Sequence, residues 1–189
     1  SQQDRITAVY FLGIGGIGMS ALARFFKSKN YHVAGYDRTR STLCADLENE
    51  GIKIVYDESQ STIPTDYLDP LHTLVVYTPA ISESHEQYVF FRQHGFVMEK
   101  RSEVLGRITR QMRSLCIAGT HGKTTTSTML AHLLYQSRIG CNAFLGGVSN
   151  NYRSNLLLND ESQLVVVEAD EYDHSFYRLT TRGFKEEDM

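Results

Sequence analysis

Three scarcities narrow what this sequence can do. Cysteine is scarce: only Cys44, Cys116 and Cys141 occur, far apart and odd in number. They form neither a disulfide framework nor a metal-ligand spacing. Cys116 and Cys141 stand in apolar runs, where a small buried residue is the plain expectation. Charge of one sign is also scarce, with a net charge of −3 from 19 basic and 22 acidic residues. No general attraction to nucleic acid or to a membrane surface follows, so any anion must be held by local geometry. Long apolar runs are missing as well: no stretch approaches the roughly 20 residues that span a bilayer. Ser1-Gln2-Gln3-Asp4-Arg5 carries no signal-peptide core. Repeats and low-complexity segments are absent. The expectation is a soluble cytoplasmic protein with no nucleic-acid partner and no membrane insertion.

What is present is an alternation of short apolar runs and amphipathic stretches. Ala8 to Leu12 reads as a buried strand, followed by a glycine-rich turn and then by Met19, Leu22, Ala23 and Phe26 at helical spacing. His32 to Tyr36, Ile52 to Tyr56 and Thr73 to Tyr77 read as further strands, with helical material at Ser41 to Glu50 and Glu86 to His94. Strands alternating with helices predict a parallel sheet with crossovers, a Rossmann-like α/β domain. A basic connector at Arg107 to Arg113 precedes a restart. Ser114 to Ala118 reads as a strand, followed by a second glycine turn. An amphipathic helix then carries Met129, Leu130, Leu133 and Leu134. Cys141 to Leu145 and Leu164 to Val167 are further strand candidates. The expected division is residues 1–110 and 111–189, the second being an α/β domain of about three strands, short of a complete sheet.

The first glycine loop, Gly13-Ile14-Gly15-Gly16-Ile17-Gly18-Met19-Ser20, follows a strand and opens a helix. Gly13, Gly15 and Gly18 satisfy the dinucleotide fingerprint, and Asp37 ends the next strand where a ribose-binding acid is expected. Glycines let the backbone approach a diphosphate, and amides at the helix N-terminus stabilise its charge. This physics does not separate NAD from a UDP-sugar. The plainer alternative is a turn that merely packs helix on strand.

The second loop, Gly119-Thr120-His121-Gly122-Lys123-Thr124-Thr125-Thr126, is a phosphate-binding loop. Its amides would cradle phosphates, Lys123 would reach the β/γ-phosphates of ATP, and the Thr124 hydroxyl would ligate Mg²⁺. It is a shortened variant, since Ile117 stands where the common pattern needs a glycine. His121 has two readings, a contact to substrate or phosphate and a bond to a neighbouring carbonyl. Downstream, Leu164 to Val167 runs into Glu168-Ala169-Asp170-Glu171. A carboxylate at the end of a parallel strand beside such a loop supplies the negative charge a Mg²⁺–nucleotide site needs, and Glu168 is the expected ligand. A solvated strand end is the alternative.

Taken together, the two loops and Glu168-Ala169-Asp170-Glu171 resemble the Mur ligase family in the pattern of its alanine-adding members. The resemblance extends through Thr78-Pro79-Ala80-Ile81, Lys100-Arg101-Ser102-Glu103-Val104-Leu105 and Leu145-Gly146-Gly147, and covers the chain to about residue 179. Gly18 favours the alanine-adding branch over the tripeptide-recycling one, which usually has alanine there. The resemblance implies an N-terminal domain for UDP-N-acetylmuramate, a central domain for Mg–ATP and a C-terminal domain that brings L-alanine. It also implies a reaction in which the phosphorylated muramate carboxylate is attacked by the amino acid. By position, Gly15, Gly16, Gly18, Met19 and Ser20 would meet the UDP diphosphate. Asp37, Arg38, Thr78 and Ala80 would line the uridine side, and Asn150 and Asn155, after a Gly146-Gly147 turn, would approach the sugar. Gly119 to Thr125 would hold ATP, with Lys123, Thr124, Glu168 and His121 at the reacting phosphate. The family pattern continues past Arg178-Leu179, whereas Thr180 to Met189 reads as a polar tail, so complete turnover by this chain alone is not expected. Two other functions remain open, a non-catalytic UDP-sugar-binding module and an NAD-dependent oxidoreductase.

Overall fold

The computed structural model describes residues 6–169. Asp170, Glu171 and the Thr180 to Met189 tail lie outside the described residues. The chain divides into two compact units, Ser1–Arg101 and Ser102–Met189. The division falls just after the first residue of a helix at Arg101–Thr109, whereas residue 110 lies beyond that helix.

The first unit contains β1 (Ala8–Leu12), α1 (Ile17–Ser28), β2 (His32–Tyr36), α2 (Thr42–Asn49), β3 (Lys53–Val55), β4 (Thr73–Tyr77), α3 (Glu86–Gln93) and β5 (Val97–Lys100). The sheet order is β3-β2-β1-β4-β5 and every pairing is parallel. β1 is central and buried along its whole length, which is why it reads as an unbroken apolar run rather than an alternating one. On one face Ala8, Tyr10 and Leu12 pack with Ile63, Tyr67, Phe91 and Phe96. Ser41 starts α2 by accepting from the Cys44 amide at 3.2 Å, a side-chain N-cap.

The crossover from β3 to β4 uses 3-10 turns at Gln60–Thr62 and Thr65–Tyr67 in place of an α-helix. Gln87, fully buried on α3, fastens this crossover. Its Nε2 donates to the Asp57 and Ser59 carbonyls at 3.1 and 3.2 Å and to Thr62 Oγ1 at 3.0 Å, while its Oε1 accepts from the Tyr10 hydroxyl at 2.9 Å. The strand order reverses at β1, and in an open α/β sheet the crevice at that switch point, at the carboxyl ends of the strands, is where ligands bind. The glycine loop, Asp37, Thr78 and Arg101 follow the carboxyl ends of β1, β2, β4 and β5 in turn.

In the second unit, α4 (Arg101–Thr109, its first residue at the division) leads into β6 (Arg113–Ile117) and α5 (Lys123–Gln136). β7 (Asn142–Ser149), β8 (Ser154–Leu157) and β9 (Leu164–Glu168) follow. The sheet order is β6-β9-β7-β8, parallel except for the β7–β8 pair. Two expectations need correction. The stretch Arg107 to Arg113 is not a connector, since it ends α4 and opens β6. Gly146-Gly147 is not a turn: both residues lie within β7, where the register to β8 shifts between Phe144 and Ser149, and the reversal comes after Ser149. The helix after the second loop is present as expected, with Ser127, Leu130, Ala131 and Leu134 inward and Met129 and Leu133 62% and 67% exposed. Among the described residues, no helix is long and apolar enough to cross a membrane.

Candidate functional site

The first loop leaves β1 with Gly13 at φ +90°, and the Gly13 and Ile14 amides donate to the Tyr36 carbonyl at 2.8 and 2.9 Å. α1 then begins after Gly16 with no side-chain cap and no acid in its first turn. Such a start leaves first-turn amides without a carbonyl one turn behind them, a ready anion cradle. Asp37 is turned into the loop. Its Oδ2 accepts from the Gly15 amide at 2.8 Å and its Oδ1 from Thr39 at 3.1 Å. Thr78 lies alongside, its Oγ1 being 3.6 Å from where a Cβ on Gly13 would sit.

Two residues at this loop were not legible as site residues. Arg101 brings its Nη1 within 2.9 Å of where a Gly18 Cβ would be, placing a guanidinium over the start of α1. Cys44 is fully buried with its Sγ 2.5 Å from the position of a Gly15 Cβ. Tyr36 is pushed above the ordinary phenol value, first by burial and then by the Glu58 and Asp37 carboxylates. Met19 and Ser20 are buried, the Met19 side chain against Gly16, while the Ser20 amide and hydroxyl donate to the Gly16 and Ile17 carbonyls at 2.8 and 2.9 Å. Arg38 and Ala80 are exposed.

The second loop runs from Gly119 (φ +145°) to Gly122 (φ +78°), and α5 opens directly on Lys123. Lys123 Nζ reaches back to donate to the Gly119 carbonyl at 2.5 Å, arching over the loop. Thr120, His121 and Thr125 are exposed, and His121 bonds no neighbouring carbonyl among the described residues, unlike one of its two readings. β9 lies beside β6 with Ile117 opposite Glu168, which delivers the carboxylate to the mouth of the loop. There Thr124 Oγ1 donates to Glu168 Oε2 at 3.1 Å.

That separation tests whether Mg²⁺ fits. Neighbouring oxygens of an octahedron with bonds of about 2.1 Å lie about 3.0 Å apart, so Thr124 and Glu168 span one edge of such a shell. Mg²⁺ takes one or two carboxylates and completes its shell with water and substrate phosphates, so the single Glu168 carboxylate beside Thr124 fits it. Sequence reasoning did not include two further partners of Glu168, the buried Ser127 hydroxyl at 2.6 Å and the Gly146 amide at 2.9 Å. Ser127 stands one helical turn after Lys123, and that spacing is the signal that was available. Asn150 is exposed after β7, whereas Asn155 is fully buried in β8, and its side chain does not present itself to an incoming sugar.

The family profile described as "Mur ligase family, catalytic domain" matches residues 8–113. A UDP-N-acetylmuramate–L-alanine ligase of Phocaeicola vulgatus is 57% identical over 177 residues, covering 94% of this chain and 39% of that protein. The ligase of the same name from Porphyromonas gingivalis is 57% identical over 171 residues, covering 90% and 38%. Among solved structures, the UDP-N-acetylmuramate–alanine ligase of Thermotoga maritima superposes with a TM-score of 0.78 at 31% identity, over 89% of this chain and 38% of that one. A UDP-N-acetylmuramate:L-alanyl-γ-D-glutamyl-meso-diaminopimelate ligase from Neisseria meningitides gives 0.80 at 26% identity, over 89% and 54%. The chain thus spans under two-fifths of the length of the two curated relatives. With a family profile over residues 8–113 and two glycine loops at the carboxyl ends of parallel strands, the chain belongs to the Mur ligase family.

Proposed function

We propose that this chain takes part in the ATP-dependent joining of L-alanine to UDP-N-acetylmuramate in the cytoplasm, an early step of peptidoglycan precursor synthesis. Its first loop holds the UDP-sugar and its second holds Mg–ATP. The observation that carries the reading is the second loop: Lys123, Thr124 and Glu168 converge beside a helix start, in a chain that already has a diphosphate-type loop. A nicotinamide oxidoreductase would leave that second loop without a task.

At the first loop Gly15, Gly16, Gly18, Met19 and Ser20 surround the diphosphate, with the Gly18 and Met19 amides as its donors since those of Gly15, Gly16 and Ser20 already donate to Asp37, Gly13 and Gly16, and Arg101 adds positive charge. Asp37 already accepts from Gly15 and keeps acceptor capacity for a ribose hydroxyl. Arg38, Thr78 and Ala80 complete the uridine side. At the second loop Gly119, Thr120, Gly122 and Thr125 surround the phosphates and His121 lies exposed toward them. Lys123 exchanges its bond to the Gly119 carbonyl for a phosphate oxygen. Thr124 and Glu168 would hold Mg²⁺, which supplies charge neutralisation during phosphoryl transfer to the muramate carboxylate. Asn150 and Asn155 are assigned to the sugar side, Asn155 requiring a shift of β8.

Calorimetric titration of the chain with UDP-N-acetylmuramate, NADH and Mg–ATP, each separately, tests the proposal. Binding of the UDP-sugar and of Mg–ATP without NADH is expected. NADH binding with no response to UDP-N-acetylmuramate would overturn it.

A further inference from the structure

We infer that Ser127 and the Gly146 amide confine Glu168 to a single metal-facing oxygen and so make the second loop selective for Mg²⁺ over Ca²⁺. The inference rests on the reading of that loop as a Mg–nucleotide site. A carboxylate offers about four lone-pair positions, two on each oxygen. On Glu168, Oε1 accepts from Ser127 Oγ at 2.6 Å and from the Gly146 amide at 2.9 Å, so both of its positions are taken by the protein. Among the described residues Oε2 meets only Thr124 Oγ1, at 3.1 Å. The Ser127 hydroxyl also lies 3.1 Å from the Thr124 carbonyl, but it has one proton, and the shorter contact to a charged acceptor takes it.

Two features make the arrangement rigid. Ser127 is fully buried on the inward face of α5. Gly146 is required where it stands, because a Cβ there would overlap the Glu168 carboxylate, and only a glycine lets the strand amide come this close. Its neighbour Gly147 leaves little more room, with a Cβ falling 3.2 Å from Thr124 Cγ2.

The consequence follows from coordination chemistry. Ca²⁺ takes six to eight oxygens at about 2.3–2.6 Å and often binds a carboxylate through both oxygens, whereas Mg²⁺ accepts single oxygens at about 2.0–2.1 Å. A Glu168 with Oε1 occupied cannot serve as a two-oxygen ligand. Ser127 is therefore a positioning residue, acting on the ion through Glu168.

The test is calorimetry of ATP binding to the full chain in Mg²⁺, in Ca²⁺ and with divalent ions chelated, for wild type, Ser127→Ala and Ser127→Thr. Loss of an outer partner of a metal ligand typically costs about 10–100-fold in metal affinity. Ser127→Ala is expected to weaken Mg–ATP by at least about tenfold while weakening Ca–ATP less. The Mg-to-Ca affinity ratio then falls by about tenfold relative to wild type. Ser127→Thr keeps the hydroxyl and keeps the ratio. A merely structural serine would weaken both complexes alike and leave the ratio unmoved, which would overturn the inference, as would a wild type with no preference for Mg²⁺. If the wild type binds no Mg–ATP at all, the reading of the second loop fails first and the inference falls with it.

Discussion

Removing the Tyr10 hydroxyl tests whether the network around Gln87 holds the first unit together. In Tyr10→Phe the ring and its packing against Tyr67 and Phe91, at centroid separations of 5.6 and 5.2 Å, are kept. What is lost is one donor, and Gln87 Oε1 is left buried without a partner. A stranded buried acceptor costs about 1–3 kcal/mol. Gln87→Leu strands the Tyr10 hydroxyl at similar cost. The crossover suffers less, because Thr62 Oγ1 still donates toward the Asp57 and Ser59 carbonyls at 2.9 and 2.8 Å. The double variant strands neither side of the Tyr10–Gln87 pair, so its loss should fall short of the sum by about 1 kcal/mol or more, beyond the ~0.3–0.5 kcal/mol scatter of independent sites. For a unit of about 100 residues each kcal/mol moves the melting temperature by roughly 4–8 °C. Thermal unfolding followed by near-ultraviolet circular dichroism reads all three variants. Additive losses, or a Tyr10→Phe protein as stable as wild type, would refute the reasoning.

Further outcomes follow from the same geometry. Gly15→Ala places a Cβ 2.5 Å from Cys44 Sγ and 2.8 Å from Asp37 Oδ2. Overpacking of this kind costs about 1–3 kcal/mol, so UDP-N-acetylmuramate binding should weaken accordingly in calorimetry and recover in part when Cys44→Ala is added. Unchanged binding in Gly15→Ala would contradict the role of the loop. Tyr67 is pushed up to about 12, by burial first and the Asp66 carboxylate second. A raised value in the fold means the neutral phenol is favoured there, so its contribution is intact below the unfolded value of about 10 and is lost as pH rises from there toward about 12. Urea midpoints should fall above pH ~10, less steeply in Tyr67→Phe, and identical slopes would count against this. Met129 and Leu133 expose apolar surface on α5, so a Met129→Lys, Leu133→Lys protein should associate less than wild type in light scattering. A wild-type chain that is already a clean monomer would contradict it.

How far the fold was legible depended on burial. β1, β2 and β4 were read residue for residue, because a strand buried on both faces is apolar along its length. β5, Val97–Lys100, was missed because it is an edge strand whose last two residues are charged, and β8 because Ser154 and Asn155 interrupt its apolar signal. On α5 the expected helix is present, and of its apolar residues Leu130 and Leu134 pack on the core beside buried Ser127 and Ala131 while Met129 and Leu133 are exposed, a division that composition alone does not make. The loops and Glu168 were legible because backbone demands on glycine and a helix start leave a pattern in sequence. Ser127 left only its one-turn spacing from Lys123 as a local signal, and the Gly146 amide and Arg101 left none, since their roles depend on the pairing of β7 with β9 or on the approach of Arg101 to Gly18.

The central claim is that one chain holds two different phosphate-bearing ligands on two separate loops. Native mass spectrometry of the chain with UDP-N-acetylmuramate and Mg–ATP together, beside a Lys123→Ala variant, tests it directly. A complex carrying one of each ligand is expected, with Lys123→Ala losing ATP alone and keeping the UDP-sugar. Displacement of one ligand by the other, or loss of both in Lys123→Ala, would contradict it.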